Sequence, residues 1–317
     1  MKKKIIATVA AALLAVTGLA ACGEIKEEKP ADAKETVKVD RDYKGELPAV
    51  EGEWGKTATI KKVDAQEPTT VVAKTLKKGD GPEVTPTDTV LAHYVGTLWD
   101  GTVFDSSFAR GGEAGPTPIS FSLQQVIPGW TYGLAGQHVG DRVQLVIPSE
   151  WGYGDQGQGD VIKPGSTLVF VVDIVAAYDP TNVSALTEAA ATGETLPSGV
   201  TISGDLGAEP KIEVAADAKL PTDQTFTVLA KGTGKEITAD EIVFYHVTIY
   251  DVEGKAIAQS SWKNGTAVGT RGPVGEVPGV TSQTVGSRVV VFNPANAETK
   301  TGAAVFVVDI TGSMPSK

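Results

Sequence analysis

The feature that most constrains this chain is a repeat. The string VFVVDI occurs at Val169 to Ile174 and again at Val305 to Ile310, and neighbouring segments pair in the same order. VVAK at Val71 answers to VLAK at Val228, VIPGW at Val126 to EVPGV at Glu276, and VGDRVQLVIP at Val139 to VGSRVVVFNP at Val285. GEWG at Gly52 answers to GDLG at Gly204. A repeat this long predicts two domains of similar fold, each of ordinary size for one hydrophobic core.

Within each copy, short alternating segments rich in Val, Thr and Ile are separated by Gly, Pro and Asp, the pattern of antiparallel strands joined by turns. Val71 to Lys74, Thr89 to Leu98, Arg142 to Ile147 and Thr167 to Val175 are the clearest strands. Trp130 to Gln137 is the one helix expected in the first copy. The Ala-rich stretch Val183 to Ala191, with Thr181 and Asn182 as caps and Gly193 as a stop, predicts a second helix between the copies.

The N-terminus reads as a processed export signal. Lys2 to Lys4 precede an apolar run from Ile5 to Leu19, and Leu19, Ala20 and Ala21 lead into Cys22, the single cysteine. That is a bacterial lipobox, and the run is short for a membrane span. The expectation is cleavage before Cys22, lipid attachment to it, and retention on the extracytoplasmic face of the cell membrane. Removing residues 1–21 leaves 25 basic against 39 acidic residues, a formal charge near −14, which argues against nucleic-acid binding. The polar, charged segment 22–47 reads as a flexible tether. The remaining boundaries are 48–180 for the first domain, 181–194 for a helical connector and 195–317 for the second domain.

Within the first copy, HYVG, DGTVFDSS, VIPGW, VGDR, WGYG and TLVFVVDI follow one another between about Thr70 and Ala177. In order and spacing they resemble the FKBP family of peptidyl-prolyl cis-trans isomerases. The resemblance implies an α+β fold, in which each FKBP-like domain is a curved antiparallel β-sheet wrapped around a short helix. It also implies a shallow apolar pocket with Trp130 as floor and Tyr94, Phe104, Val126, Ile127 and Phe170 as walls. Asp105, Tyr153 and Ile162 would stand at the rim, with Val161 beside Ile162 and Arg110 as a nearby cation. The implied activity is Xaa-Pro isomerisation in unfolded or newly exported polypeptides, with chaperone-like holding, macrolide inhibitors as further ligands, and no cofactor or metal.

Taken singly, Trp130, Phe170 and Tyr94 are ordinary core residues; their joint order is what points to a pocket. In the second copy, pairing by motif sets Val247 against Tyr94, Ile257 against Phe104, Ala258 against Asp105 and Val280 against Trp130. The expectation there is a fold without a working site. GYGDQG at Gly152 matches a dinucleotide fingerprint by letter only, since no helix follows it. His93, His138 and His246 are too scattered for a dedicated metal site. A pure binding module and a solute-binding lipoprotein are the rival readings. The full pocket set in one copy opposes the first, and the lack of long helices opposes the second.

Overall fold

The computed structural model describes residues 37–110, 115–270, 272–275, 277–296 and 301–317. The expected signal segment 1–21, Cys22 and the tether as far as residue 36 lie outside the described residues. Contacts divide the chain into two units at Asp179/Pro180.

The first unit contains β1 (Val39–Asp40), β2 (Val50–Glu51), β3 (Thr59–Ile60), β4 (Val71–Lys77), β5 (Thr89–Leu98), β6 (Val103–Ser106), β7 (Ile119–Ser122), the helix α1 (Pro128–Leu134), β8 (Arg142–Ile147) and β9 (Leu168–Tyr178). Its sheet runs β1-β4-β8-β9-β5-β6, with β7 also paired to β5. Both faces are covered, which is why every residue of β8 is buried. Val143, Leu145 and Ile147 pack with Trp130 and Leu134 on one face. Val146 meets Ala58 and Ile60 on the other, and Arg142 and Gln144 share that side by the two-residue strand period.

The second unit contains the single-turn helix α2 (Ser184–Thr187), then β10 (Ala190–Ala191), β11 (Val200–Ser203), β12 (Lys211–Val214), β13 (Thr225–Lys231), β14 (Glu241–Asp251), β15 (Ala256–Ser260), β16 (Val268–Gly269), β17 (Arg288–Asn293) and β18 (Ala304–Pro315). Its sheet runs β10-β13-β17-β18-β14-β15, with β16 on β14, the same plan as the first. The irregularities are duplicated too. β5 shifts register against β9 between Leu91 and Ala92, and β14 against β18 between Phe244 and Tyr245, the corresponding residues.

Each unit docks a leading hairpin, β2–β3 or β11–β12, through a buried ion pair. Arg142 holds Asp173 through Nε at 2.6 Å and Nη2 at 2.8 Å, and donates to the carbonyls of Gly52 and Lys56. Arg288 holds Asp309 at 2.6 and 3.0 Å and donates to Gly204, Asp205 and Ala208. Burying a charge pair costs several kcal/mol of desolvation, so it persists only where remaining donors find acceptors; both guanidinium groups do. This is the physical content of the GEWG and GDLG match.

Three expectations need correction. The tether does not extend to residue 47: β1 pairs in parallel with β4, Tyr43 and Leu47 pack on the hairpin-side core, and Gln144 donates to Pro48 O at 2.7 Å. A segment poor in large apolar residues is held here by backbone pairing and a few contacts. The connector is not a helix to Ala191. One turn forms, and Ala190–Ala191 pair instead with β13, because an isolated helix so short is marginal and a strand edge satisfies the same backbone groups. The first-unit helix starts two residues earlier and ends three residues earlier than predicted, at Pro128–Leu134. Pro128 occupies its first turn, where a missing N–H costs nothing, and Gly136, at φ +78°, closes the turn after it.

Candidate functional site

The α1 helix presents its side chains to the concave face because it can approach the sheet closely. A β-carbon on Gly129 would lie 2.3 Å from Ile147, so only glycine seats the helix at this depth. Trp130 follows directly, 4% exposed, at the base of a hollow of about 380 Å³. Its ring centroid lies 5.6 Å from Tyr94 and 5.3 Å from Phe170, both nearly perpendicular, and 5.1 Å from Phe121. Phe104 meets Phe170 edge-on at 5.4 Å. These edge-to-face arrangements hold rings apart as a wall rather than collapsing them into a stack.

The hollow is lined by Tyr94, Phe104, Asp105, Phe121, Gln125, Val126, Ile127, Trp130, Tyr153 and Phe170. Eight of the nine residues expected from the sequence are therefore brought together. The exception is Ile162: it is buried in the same core beneath its loop and does not line the hollow, while Val161 beside it is exposed. Phe121 is the residue sequence reasoning missed. Its signal, a lone aromatic in the short alternating run ISFS, is too weak to separate a lining strand from an ordinary edge. Gln125, directly before VIPGW, also lines the hollow and carries no pocket signal of its own in the sequence.

Gly96 completes the geometry. A β-carbon there would stand 2.6 Å from Phe104 and 3.0 Å from Phe170, so the two rings occupy space that any other residue would fill.

One polar cluster breaks the apolar wall. Tyr94 Oη donates to Asp105 Oδ2 at 2.5 Å, Arg110 Nη2 donates to both carboxylate oxygens at 2.6 and 2.8 Å, and Ser106 N–H donates to Oδ1 at 2.8 Å. Burial alone pushes the Asp105 carboxyl up, but the bonds from Tyr94, Arg110 and Ser106 together outweigh it and hold the group below the usual carboxylate range. Burial, with the Tyr94–Asp105 bond second, pushes the Tyr94 hydroxyl well above a free tyrosine. Tyr153 is raised by burial and then by the charge of Asp105. Near neutral pH the site thus carries a fixed carboxylate and two protonated phenols. It has hydrogen-bond donors and a carboxylate but no arrangement of nucleophile and base.

Comparison with known proteins agrees with this geometry. The family described as FKBP-type peptidyl-prolyl cis-trans isomerase matches residues 81–175. An FK506-binding protein of Streptomyces anulatus is 44% identical over 115 residues, covering 35% of this chain and 89% of its own length. The chain belongs to the FKBP-type isomerase family. A probable isomerase FkpA of Neisseria meningitidis serogroup B is 46% identical over 112 residues, 35% of this chain and 39% of that protein. The crystal structure of FkpA from Escherichia coli matches at 41% identity over 36% of this chain and 51% of its own, with a TM-score of 0.32. All of these matches cover about a third of the chain.

Among the described residues of the second unit, the positions that answer to the lining of this hollow carry different side chains. The ladder register corrects the pairing expected from the motifs: Gly96 faces Asp105 and Ile249 faces Gln259, while Thr97 faces Val103 and Tyr250 faces Ile257. Val103 therefore answers to Ile257, Phe104 to Ala258 and Asp105 to Gln259, one residue later than read from the sequence. Ser107 and Ser261 fix this register, each accepting from the equivalent backbone N–H, of Tyr94 or Val247, at 2.9 Å. Val247, Ile249, Val280 and Phe306 lie together in one buried core. Ile249 stands where Gly96 makes room, and Ala258 where Phe104 fills it. Twenty residues join β8 to β9 and carry Tyr153, but only ten join β17 to β18.

Proposed function

We propose that the first unit is a peptidyl-prolyl cis-trans isomerase that accelerates Xaa-Pro rotation in exported polypeptides. The observation that carries this reading is the Trp130-floored hollow, walled by Tyr94, Phe104 and Phe170 and wide enough for a pyrrolidine ring. Rotation about an Xaa-Pro bond is slow because it breaks amide resonance, across a barrier of about 18–20 kcal/mol. As the amide twists, its charge separation falls and its nitrogen becomes pyramidal, so an apolar wall favours the twisted form over the planar one. Catalysis then follows from tighter binding of the transition state, without a covalent intermediate. Asp105, anchored by Tyr94 and Arg110, is the polar group beside the twisting bond, and the hydroxyl of Tyr153 is a donor for a substrate carbonyl. Tyr94, Phe104, Asp105, Val126, Ile127, Trp130, Tyr153 and Phe170 are the proposed site, with Phe121 and Gln125 added.

The second unit, in this reading, is an FKBP-like domain that lacks the first unit's aromatic set and holds clients or a partner. Phe226 is 43% and Ile257 37% exposed, apolar side chains available to an unfolded chain. The lipobox at Cys22 supports placement on the extracytoplasmic membrane face, with newly exported chains as clients and macrolides as competing ligands.

Proline-limited refolding with the full chain tests the activity. Asp105→Ala and Phe104→Ala should each lower kcat/KM by on the order of tenfold or more while the fold persists. Unchanged rates in both variants would favour the binding-module reading.

A further inference from the structure

The α1 helix that carries Trp130 has an unusual partner. Its last carbonyls find no N–H donors within so short a helix, and three of them are met from outside by one side chain. Arg41 Nη1 donates to Gly133 O at 3.3 Å, and Nη2 donates to Tyr132 O at 3.4 Å and Ala135 O at 2.5 Å. With the Gln137 amide oxygen turned toward it, Arg41 Nη1 also reaches that oxygen at 2.6 Å, while the Gln137 nitrogen donates to Thr75 on β4 and to Asp141. The other side of the helix is tied by Thr131 Oγ1, which donates to Leu123 O at 2.5 Å.

Arg41 is delivered by β1. Val39 and Asp40 pair in parallel with Val71 and Val72, and Val39 packs on the core that contains Trp130. The strand and Arg41 lie well before the family match at residues 81–175. In the second unit the corresponding edge strand β10 is antiparallel, and the segment matching α1 forms no helix. The clamp is present where there is a pocket helix to hold.

We propose that Arg41 is a positioning residue for the pocket: by capping α1 from the N-terminal segment it fixes the depth and tilt of the Trp130 indole. A planar guanidinium suits this task because its fork reaches several carbonyls at once, and its charge complements the negative helix end. The inference rests on the isomerase reading, since it assigns Arg41 a part in that site. Small displacements of a positioned group cost large factors in rate, and Arg41 is a mostly exposed clamp on one end only.

The test uses the full chain with Arg41→Ala and Arg41→Lys. Four quantities are read: kcat/KM on an Xaa-Pro tetrapeptide, affinity for FK506, the thermal midpoint, and the Trp130 indole N–H resonance assigned with Trp130→Phe. Arg41→Ala should lower kcat/KM by about tenfold, weaken FK506 and move the indole resonance, with the first unit still folded. Arg41→Lys should recover part of the loss, as a cation that meets one carbonyl at a time. Parental kcat/KM in Arg41→Ala would overturn the inference and leave the isomerase reading intact. So would a loss of activity matched by a smaller folded fraction, with FK506 affinity and the indole resonance unmoved. An inactive parent chain would instead overturn the isomerase reading, and this inference with it.

Discussion

The two units of this chain share a plan and differ in what the plan encloses. Strand order, the β5 and β14 register shifts, the buried Arg–Asp pair, the docked hairpin and the serine under the histidine all occur twice. The aromatic set that lines the hollow occurs, among the described residues, in the first unit alone. In the second unit these positions are exchanged together: Ile249 for Gly96, Val280 for Trp130 and Val247 for Tyr94, all in one buried core, and an exposed Ala258 for Phe104. Two of the rings, Tyr94 and Trp130, are answered by valines packed in a core with Ile249 and Phe306. The comparison teaches that the residues holding such a sheet together and those keeping a cavity open in it are separable sets. A core packed to crystal-like density has to be prevented from closing.

The widest gap between the units should appear in catalysis. Residues 37–179 expressed alone should accelerate a proline-limited refolding step by on the order of 10⁵-fold, equivalent to about 7 kcal/mol of barrier. Residues 180–317 should give no measurable acceleration. Comparable rates from the two fragments would break the comparison at its centre.

Stability should show the opposite, a symmetry. Asp173→Ala and Asp309→Ala each strand a buried guanidinium and should each cost their own unit about 3–5 kcal/mol, read from urea unfolding of the separate fragments. A large loss in one unit and a negligible one in the other would mean that the duplicated pairs are not equivalent.

Between these extremes lies a transplant. Gly96→Ile imports the second unit's residue into the pocket and drives Phe104 and Phe170 from their places. Activity should fall roughly 10- to 100-fold, with overpacking costing about 1–3 kcal/mol. Adding Phe104→Ala should restore stability without restoring activity. Recovery of both would show that the hollow is not what catalyses.

The smallest effect concerns acid. His246 is stacked on Trp262 at 3.8 Å, and burial lowers its pKa to about 4. The unfolded chain therefore takes up that proton first, and the stability associated with neutral His246 is complete above about pH 6.5 and lost as pH falls toward 4. Between pH 7 and pH 5 the second unit should lose about 2 kcal/mol from this residue. His93 is also lowered by burial, but Asp173 pulls it back up, so the first unit should show a shallower slope. Urea midpoints of the fragments at the two pH values would measure the difference, and His246→Phe should flatten the steeper curve.

How far the sequence reaches can be judged from particular elements. β5 and β8 fall on the residues that periodicity assigned, because an apolar run bounded by turn residues leaves a strand little freedom at its ends. Eight of nine expected pocket residues line the hollow because motif order survives folding even when side-chain direction cannot be read. Ile162 failed on that direction: its neighbour Val161 faces solvent while Ile162 turns inward. The one-residue slip between Phe104 and its counterpart arose because motif matching ignores the register that Ser107 and Ser261 impose through their bonds to backbone.

By itself, then, the sequence determined the duplication, the strand-dominated class and the identity of the aromatic set, since each depends on local pattern and order along the chain. Tertiary structure alone decided that residues 37–47 dock instead of drifting, that Ala190–Ala191 pair as a strand, that Phe121 joins the wall, and that Arg41 reaches the far end of α1 across more than ninety residues. Those outcomes turn on which backbone groups find partners at a distance, and no local pattern carries that information.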